Sequence, residues 1–340
     1  MKFGPVSLAE AEGKILGHNI AGLDGRRAFR KGRPLTAADL AGLREIGREV
    51  VYVADLAPDD VGEDDAARAL AAALMGPGLE TVGAASGRVN LLAAGLSILR
   101  VDAARLECIN NLEGLTVATL PAHAVLRRRQ MAGTIKVIPF AVPGAVVERA
   151  TRVCAAGGPI VWANPLPKRA VSLILSGSPS VRERVVGDFE PPLSARIEAL
   201  GSALRAVDFI PLEDETGEAA LSAALAREKA AGAGLIVLAG ETAIMDRHDI
   251  APRAIERIGG EVTCFGAPVD PGNLLLLAYL GETPILGAPG CARSRKVNVV
   301  DWVLPRLLAG DRLTRADIVA LGAGGLLEDV PERPMPRSRV

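Results

Sequence analysis

Apolar runs alternate with helical stretches from about Lys168 to Gly310, and this alternation constrains the fold more than any other feature of the 340-residue chain. The runs are predicted strands, with the sequences AVSLILSG, AVDFIPLED, LIVLAG and TPILG. Continuous apolar runs are typical of parallel strands that are buried on both faces. The pattern therefore predicts an α/β fold whose mostly parallel sheet is flanked by helices.

The rest of the chain divides into three further zones. Residues 1–85 are predicted as an α/β segment that begins with a helix at Ser7–Leu16, and residues 86–167 as a β-rich middle region. Together they form a mixed α+β N-terminal region ahead of the 168–310 domain. Residues 311–340 are predicted as a C-terminal tail that ends in the Pro-rich sequence EDVPERPMPRSRV.

Composition excludes several classes of protein. A formal net charge of −1 gives no overall electrostatic case for binding nucleic acid or an anionic membrane. Four cysteines stand far apart without a CxxC pair, so neither a disulfide framework nor a structural zinc site is indicated. The first residues lack the basic and apolar regions of a signal peptide. We therefore expect a cytoplasmic protein.

Two glycine-containing turns follow predicted strands. LIVLAG ends at Gly240, and TPILG runs into a turn that contains Gly287, Pro289 and Gly290. Turns at the carboxyl ends of strands in an α/β sheet commonly hold phosphate-bearing ligands through backbone N–H groups and helix N-termini. The sequence therefore predicts a ligand site at these turns.

The order of these motifs resembles the molybdopterin-binding domain of the molybdopterin molybdotransferase family. The resemblance rests on a strand followed by SGS, a strand followed by LEDET, and the segments LAGETAIMDRHD, VDPGN and ILGAPGCARS. LTAADLAGLREIGREVVYVADL is similar to a segment of the family's first domain, so the resemblance spans most of the chain. It is strongest to the divergent members associated with maturation of molybdenum hydroxylases.

The chain departs from the family's pattern in two motifs. Ala239-Gly240 stands where the family usually has two glycines, and the acidic turn reads Met245 to Asp249 after a short insertion. Asp270-Pro271-Gly272-Asn273 replaces the family's K-P-G-K, which removes two cations. The family's C-terminal β domain is not expected after Gly310.

The resemblance implies molybdopterin as the ligand, together with molybdate and Mg²⁺. Insertion of molybdate into the pterin dithiolene requires a hard cation, and therefore carboxylates near phosphate. Asp214 ends the second predicted strand of the domain, and Asp246 and Asp249 follow the third. These three are the candidate catalytic residues, with Asp246 and Asp249 as candidate metal ligands. Which of those two is the key carboxylate stays open.

The resemblance also implies a set of residues that hold the anionic pterin. Backbone donors and hydroxyl groups at the predicted turns would bind its phosphate, and Arg293 and Arg295 would neutralise it. The candidate cofactor-binding residues are Ser176, Gly177, Ser178, Gly240, Thr242, Gly287, Pro289, Gly290, Arg293 and Ser294.

Simpler structural interpretations stand beside these roles. Asp246 and Asp249 are also suitable helix-start residues, which the helix dipole favours. His248 is interpreted as a surface residue, and Cys291 as a small residue that packs the turn. Arg88, Asn90 and Lys136 either reach a ligand across an interface or belong to ordinary strands.

Two functions follow from the resemblance. One is a biosynthetic protein that binds molybdopterin, or its nucleotide form, and assists Mg²⁺-dependent molybdate insertion. The alternative is a non-catalytic carrier that delivers the cofactor to a molybdenum hydroxylase or a cofactor nucleotidyltransferase. Family members are commonly dimers, so a homodimer is expected in either case.

Overall fold

The structure is a computed structural model that describes residues 1–212 and 215–327. The chain forms two compact units, one spanning Met1–Asn164 and the other beginning at Pro165. The predicted α/β class is confirmed, since both units combine sheets with helices. Within the described residues, no helix has the combined length and apolarity that crossing a bilayer requires.

The first unit is built from short strands and four helices. Its strands are β1 (Lys2–Ser7), β2 (Ile15–Leu16), β3 (Ile20–Ala21), β4 (Arg27–Phe29), β5 (Val50–Asp55), β6 (Asp60–Gly62), β7 (Leu79–Ala85), β8 (Arg88–Ala93), β9 (Ser97–Val101), β10 (Leu115–Thr119), β11 (Val125–Leu126), β12 (Met131–Val137), β13 (Ala141–Pro143) and β14 (Val161–Pro165). Its helices are α1 (Ala37–Glu45), α2 (Glu63–Leu74), α3 (Ala103–Asn110) and α4 (Gly144–Ala155).

Two apolar cores stabilise this unit. One lies around Leu16, Leu43 and Val53, next to the small sheet β1-β5-β2. The larger core packs α2 and α4 against the sheet β10-β12-β8-β7 and includes Leu70 and Ile135. Both cores are made almost entirely of aliphatic side chains, as the low aromatic content requires.

The predicted helix at Ser7–Leu16 is wrong. Residues 2–7 form β1, which pairs antiparallel with β5, and Leu8–Glu10 make only one 3-10 turn. Gly13 adopts a φ of 78°, which ends any helical path, and Ile15 then pairs with Ala54 of β5. The apolar residues that suggested a helix are buried from different elements: Leu8 in the 3-10 turn, Ala11 at its end and Leu16 in β2.

In its described residues, the second unit contains one six-stranded sheet together with helices. Its strands are β15 (Ala170–Gly177), β16 (Ala203–Pro211), β17 (Leu235–Gly240), β18 (Glu261–Phe265), β19 (Leu276–Leu280) and β20 (Thr283–Gly287). Its helices are α5 (Arg182–Ala199), α6 (Glu215–Ala230), α7 (Ile250–Arg257), α8 (Val299–Ala309) and α9 (Arg315–Val319).

The sheet runs in the order β16-β15-β17-β20-β19-β18. The first four strands are parallel, whereas β19 and β18 are antiparallel to their neighbours. The chain leaves β15 toward β16 on one side and returns as β17 on the other. The sheet therefore has a topological switch point between β15 and β17, where α/β proteins commonly bind ligands outside the carboxyl ends of the strands.

Two element boundaries in this unit differ from the prediction. The predicted strand over residues 206–214 lies at 203–211, and the helix expected from Pro191 begins at Arg182. Pro191 and Pro192 lie inside that helix. Val185 and Phe189 are buried beneath its earlier turns, and this tertiary packing outweighs the tendency of proline to end a helix.

A capping box at α9 makes stability depend on pH. Burial alone would raise the pKa of Asp317, but the hydroxyl and backbone N–H of Thr314 and the guanidinium of Arg306 bind its carboxylate and lower the pKa from 3.8 to about 2. A carboxyl group whose pKa is lowered by folding stabilises the fold at pH values above its pKa in the unfolded chain. This contribution is lost as the pH falls toward 2.

We therefore expect Asp317→Asn to destabilise the protein at pH 7 by roughly 1 to 2 kcal/mol, with a discount for solvent screening at this partly exposed site. The difference from wild type should shrink steadily between about pH 4 and pH 2. Urea unfolding at several pH values measures it. Asp311→Asn is the matched control, because Asp311 also pairs with Arg306 but lies outside the capping box of α9.

Candidate functional site

The predicted ligand-binding turns lie at one edge of the sheet. Ser176 and Gly177 end β15, Gly240 ends β17 and Gly287 ends β20. Because these three strands are parallel, their carboxyl ends meet on the same side of the second unit. This edge contains the topological switch point.

A cavity of about 490 Å³ opens beside these turns. It is bounded by three segments that are distant in sequence: the turn after β17, the VDPGN segment (residues 269–273) and the GAPG turn (residues 287–290). The lining residues are Ala243, Gly272, Asn273, Leu274, Pro289, Gly290, Cys291 and Arg293. Pockets of this volume suit small-molecule ligands.

Several predicted binding residues line this cavity and others do not. Pro289, Gly290 and Arg293 belong to the lining. Cys291, interpreted from sequence as a packing residue, also lines it and is partly exposed. From the sequence, Asn273 was noted only as a departure from the family and Gly272 was given no role, yet both line the cavity.

Arg293 supplies the positive charge of the described lining. Its guanidinium lies 5.0 Å from the centre of the Phe189 ring and 3.8 Å from Asp188, and its Nε donates to the carbonyl of Gly290 at 2.9 Å. These contacts hold the charged group over the GAPG turn. The side chain is 42% exposed, so it remains accessible to an anion.

The switch point itself is occupied by a carboxylate that sequence reasoning missed. Oε2 of Glu241 accepts hydrogen bonds from the backbone N–H and the hydroxyl of Ser178, both at 2.9 Å. Arg184 lies 3.4 Å from Oε1. The Ser178 N–H, then its hydroxyl, lower the pKa of Glu241. The signal in the sequence was an acidic residue directly after the glycine that ends LIVLAG.

Gly240 permits the close packing of β15 and β17 at this point. A Cβ atom at residue 240 would lie 2.5 Å from the Ser176 hydroxyl and 2.8 Å from the Ser176 carbonyl oxygen. The Ser176 hydroxyl donates weakly to the carbonyl of Ala239, at 3.5 Å. The glycine is therefore required by the approach of the two strands, whatever ligand the edge holds.

Asp246 and Asp249 shape the turn that leads into α7. Asp249 is the N-cap of that helix: Oδ1 accepts from the N–H of Ile250 at 2.8 Å and Oδ2 from the N–H of Met245 at 3.1 Å. Oδ1 of Asp246 accepts from the N–H of His248 at 2.7 Å, and this bond lowers the pKa of Asp246. Both carboxylates are absent from the described lining of the cavity.

The described residues contain no cluster of side chains that supports the predicted metal site. In residues 1–212 and 215–327, no group of three or more His, Cys, Asp or Glu side chains could hold a metal ion. Asp214, the third predicted catalytic carboxylate, lies outside the described residues. The roles of Asp214, Asp246 and Asp249 therefore remain predictions.

The other predicted polar residues have local roles. Thr242 is exposed, and the Ser294 hydroxyl accepts from the N–H of Lys296 at 3.1 Å. In the first unit, Arg88 donates to Thr134, and Thr134 donates to Asn90.

Lys136 in the same unit bonds Glu63 and the carbonyl of Ser86. Within the first unit, Arg88, Asn90 and Lys136 thus connect strands β8 and β12 and the start of α2, which agrees with the interpretation of these residues as ordinary strand structure.

The N-cap geometry predicts how Asp249 variants behave. Asp249→Ala should destabilise the protein by about 1 kcal/mol, because the N–H of Ile250, the first of α7, and the N–H of Met245 lose their acceptor. Asp249→Asn should cost less, about 0.5 kcal/mol, since its single carboxamide oxygen still accepts from the Ile250 N–H but cannot also accept from the Met245 N–H. Thermal unfolding of the two variants measures the difference, and equal losses would contradict the capping role.

Comparisons with known proteins add the following. A family model described as a domain of unknown function, DUF8806, matches residues 5–55. No curated protein matches the chain in sequence. Solved structures do match. Structures of molybdopterin and molybdenum cofactor biosynthesis proteins are among them.

Three of these neighbours show the extent of the likeness. The MoeA protein from Pyrococcus horikoshii is 14% identical, with a TM-score of 0.30, over 91% of this chain and 75% of its own. A molybdenum cofactor biosynthesis protein from Pyrococcus furiosus is 12% identical, with a TM-score of 0.27, over 91% of this chain and 64% of its own.

MoaB from Thermus thermophilus is 18% identical, with a TM-score of 0.31, over 42% of this chain and 98% of its own.

Proposed function

We propose that this protein binds molybdopterin in the second unit and acts in molybdenum cofactor biosynthesis. One observation carries the proposal: the turn after β17, the VDPGN segment and the GAPG turn converge on a single cavity of about 490 Å³. These are the segments on which the sequence resemblance to the molybdopterin-binding domain rests. The resemblance implies that the two turns hold one ligand, and the cavity that they share supports the proposal.

The composition of the lining suits a flat, anionic ligand. Ala243, Leu274 and Pro289 offer apolar surface for a pterin ring, and the Asn273 carboxamide can both donate and accept hydrogen bonds. The Arg293 guanidinium can bind the ligand's phosphate through two parallel hydrogen bonds. The site would therefore hold the ring by contact area and the phosphate by charge.

The same lining favours a carrier over a transferase. Mg²⁺ binds through carboxylates and phosphate oxygens, and the described lining contains no carboxylate. Asn273 is neutral where the family has lysine, so Arg293 is the only cation among the described lining residues. We propose that the protein holds molybdopterin, or its nucleotide form, and delivers it to a molybdenum hydroxylase or a cofactor nucleotidyltransferase.

The test is incubation of the purified protein with adenylylated molybdopterin, Mg²⁺ and molybdate, following both ligand binding and release of AMP. Binding without AMP release would support the carrier. AMP release together with active cofactor would show a transferase and overturn the carrier assignment. Failure to bind either molybdopterin or its adenylylated form would overturn the proposed function as a whole.

Arg293 and Arg295 form a matched pair for this assay. Arg293→Ala should weaken molybdopterin binding by at least about tenfold, because it removes a charge-assisted hydrogen bond to the phosphate. Arg295 is exposed and is not among the lining residues, so Arg295→Ala should leave binding nearly unchanged. Equal effects from both variants would indicate that only net charge matters and would contradict a direct contact by Arg293.

A further inference from the structure

The first unit contains a cavity of about 520 Å³. It lies where the end of α3 meets the outer face of α4. Its lining is formed by Cys108, Asn111, Leu112, Arg149, Arg152 and Val153. Its volume is in the range of small-molecule sites.

Arg149 and Arg152 bring two positively charged side chains to this cavity. They stand three residues apart on α4, so their side chains share one face of the helix. In the part of the chain that the structure describes, neither guanidinium takes part in an ion pair or a hydrogen bond. Like charges at this spacing destabilise a helix, so an anion bound between them would stabilise it.

A neighbouring arginine shows what a structural role looks like here. The Arg105 guanidinium, on α3, bonds Asp102 and the carbonyl oxygens of Cys154, Gly158 and Pro159. Its side chain is only 19% exposed. Arg149 and Arg152 make no such bonds within the described residues, so they are not used to hold the fold together.

We propose that this cavity is a binding site for a phosphate monoester that carries an apolar group. Two guanidinium groups match the geometry and double negative charge of a phosphate monoester. The Asn111 carboxamide offers further donors. Leu112 and Val153 form an apolar wall. This wall can contact an apolar group on the ligand, which inorganic phosphate lacks.

Cys108 provides a built-in reporter of occupancy. It is exposed and lines the cavity, whereas Cys154 and Cys264 are buried. The experiment measures the rate at which iodoacetamide alkylates Cys108 in the full-length protein, by mass spectrometry of the Cys108 peptide. Phenyl phosphate should slow alkylation several-fold, inorganic phosphate should protect less, and benzyl alcohol should not protect.

Variants then locate the site. Arg149→Ala and Arg152→Ala should each weaken protection by phenyl phosphate about tenfold, and the double variant should abolish it. Arg128→Ala is the matched control, because it removes one exposed charge of the same unit outside the cavity. The proposal is overturned if millimolar phenyl phosphate gives no protection, if benzyl alcohol protects equally, or if protection survives in the double variant.

Discussion

Gly290→Asp should reduce molybdopterin binding by at least about 100-fold while the protein stays folded. A Cβ atom at residue 290 would lie 3.5 Å from a terminal guanidinium nitrogen of Arg293, an ordinary contact. An aspartate there can pair with Arg293 and neutralise the one cation of the described lining. Its carboxylate would also face the phosphate of the ligand, and like charges repel strongly in a confined site.

Gly290→Ala is the matched control. It adds the same Cβ atom without the charge, and the flexible Arg293 side chain has room for it. Titration monitored by pterin fluorescence, under anaerobic conditions, should give alanine a dissociation constant close to that of wild type. Thermal unfolding of both variants checks the fold. Normal binding by the aspartate variant would place the ligand away from the GAPG turn and overturn the site.

The strands of the second unit were the most predictable part of the molecule. The runs over residues 170–177 and 235–240 form β15 and β17 with the predicted boundaries. Strands that are buried on both faces are apolar at most positions, so their limits are visible in a single sequence. The predicted boundaries of β16 were wrong because its residues alternate between exposed and partly buried positions along much of the strand.

Local patterns failed where tertiary pairing decides the conformation. The segment Ser7–Leu16 has apolar residues at helical spacing, yet β1 and β2 pair with β5, which lies more than thirty residues away in sequence. Helix α5 continues through Pro191 and Pro192 because its earlier residues are buried. In both cases the deciding contacts join residues far apart in sequence, so a prediction from local sequence could not include them.

The candidate site was predictable as a set of turns but not as a cavity. The turns that contain Gly240 and Gly290 were recognised because glycine follows an apolar strand in each. The position of Asn273 beside these turns depends on the path of the VDPGN segment in the folded chain, which the sequence does not show. The carboxylate of Glu241 reaches across to Ser178, 63 residues away in sequence. A side chain's partner at that distance has no signature in the local sequence.

The largest expected effect on stability is that of Gly272→Ala, in the wall of the candidate site. Gly272 has a φ of 143°, a conformation that an L side chain rarely adopts. A Cβ atom there would lie 2.4 Å from Cγ1 and 2.5 Å from Cβ of Val299. Val299 is fully buried at the first turn of α8 and has no room to withdraw. Strain and overlap together should cost about 3 kcal/mol.

Gly259→Ala separates the two contributions to that cost. Gly259 also has a positive φ, of 78°, but a Cβ atom there would meet nothing within 4 Å. This control should therefore lose only about 1 kcal/mol, from backbone strain. For Gly272→Ala we expect the midpoint of thermal unfolding to fall by roughly 6 to 12 °C, against about 2 to 4 °C for the control. Equal shifts of the unfolding midpoint would show that Val299 moves aside at little cost, and that α8 does not fix the position of the VDPGN segment.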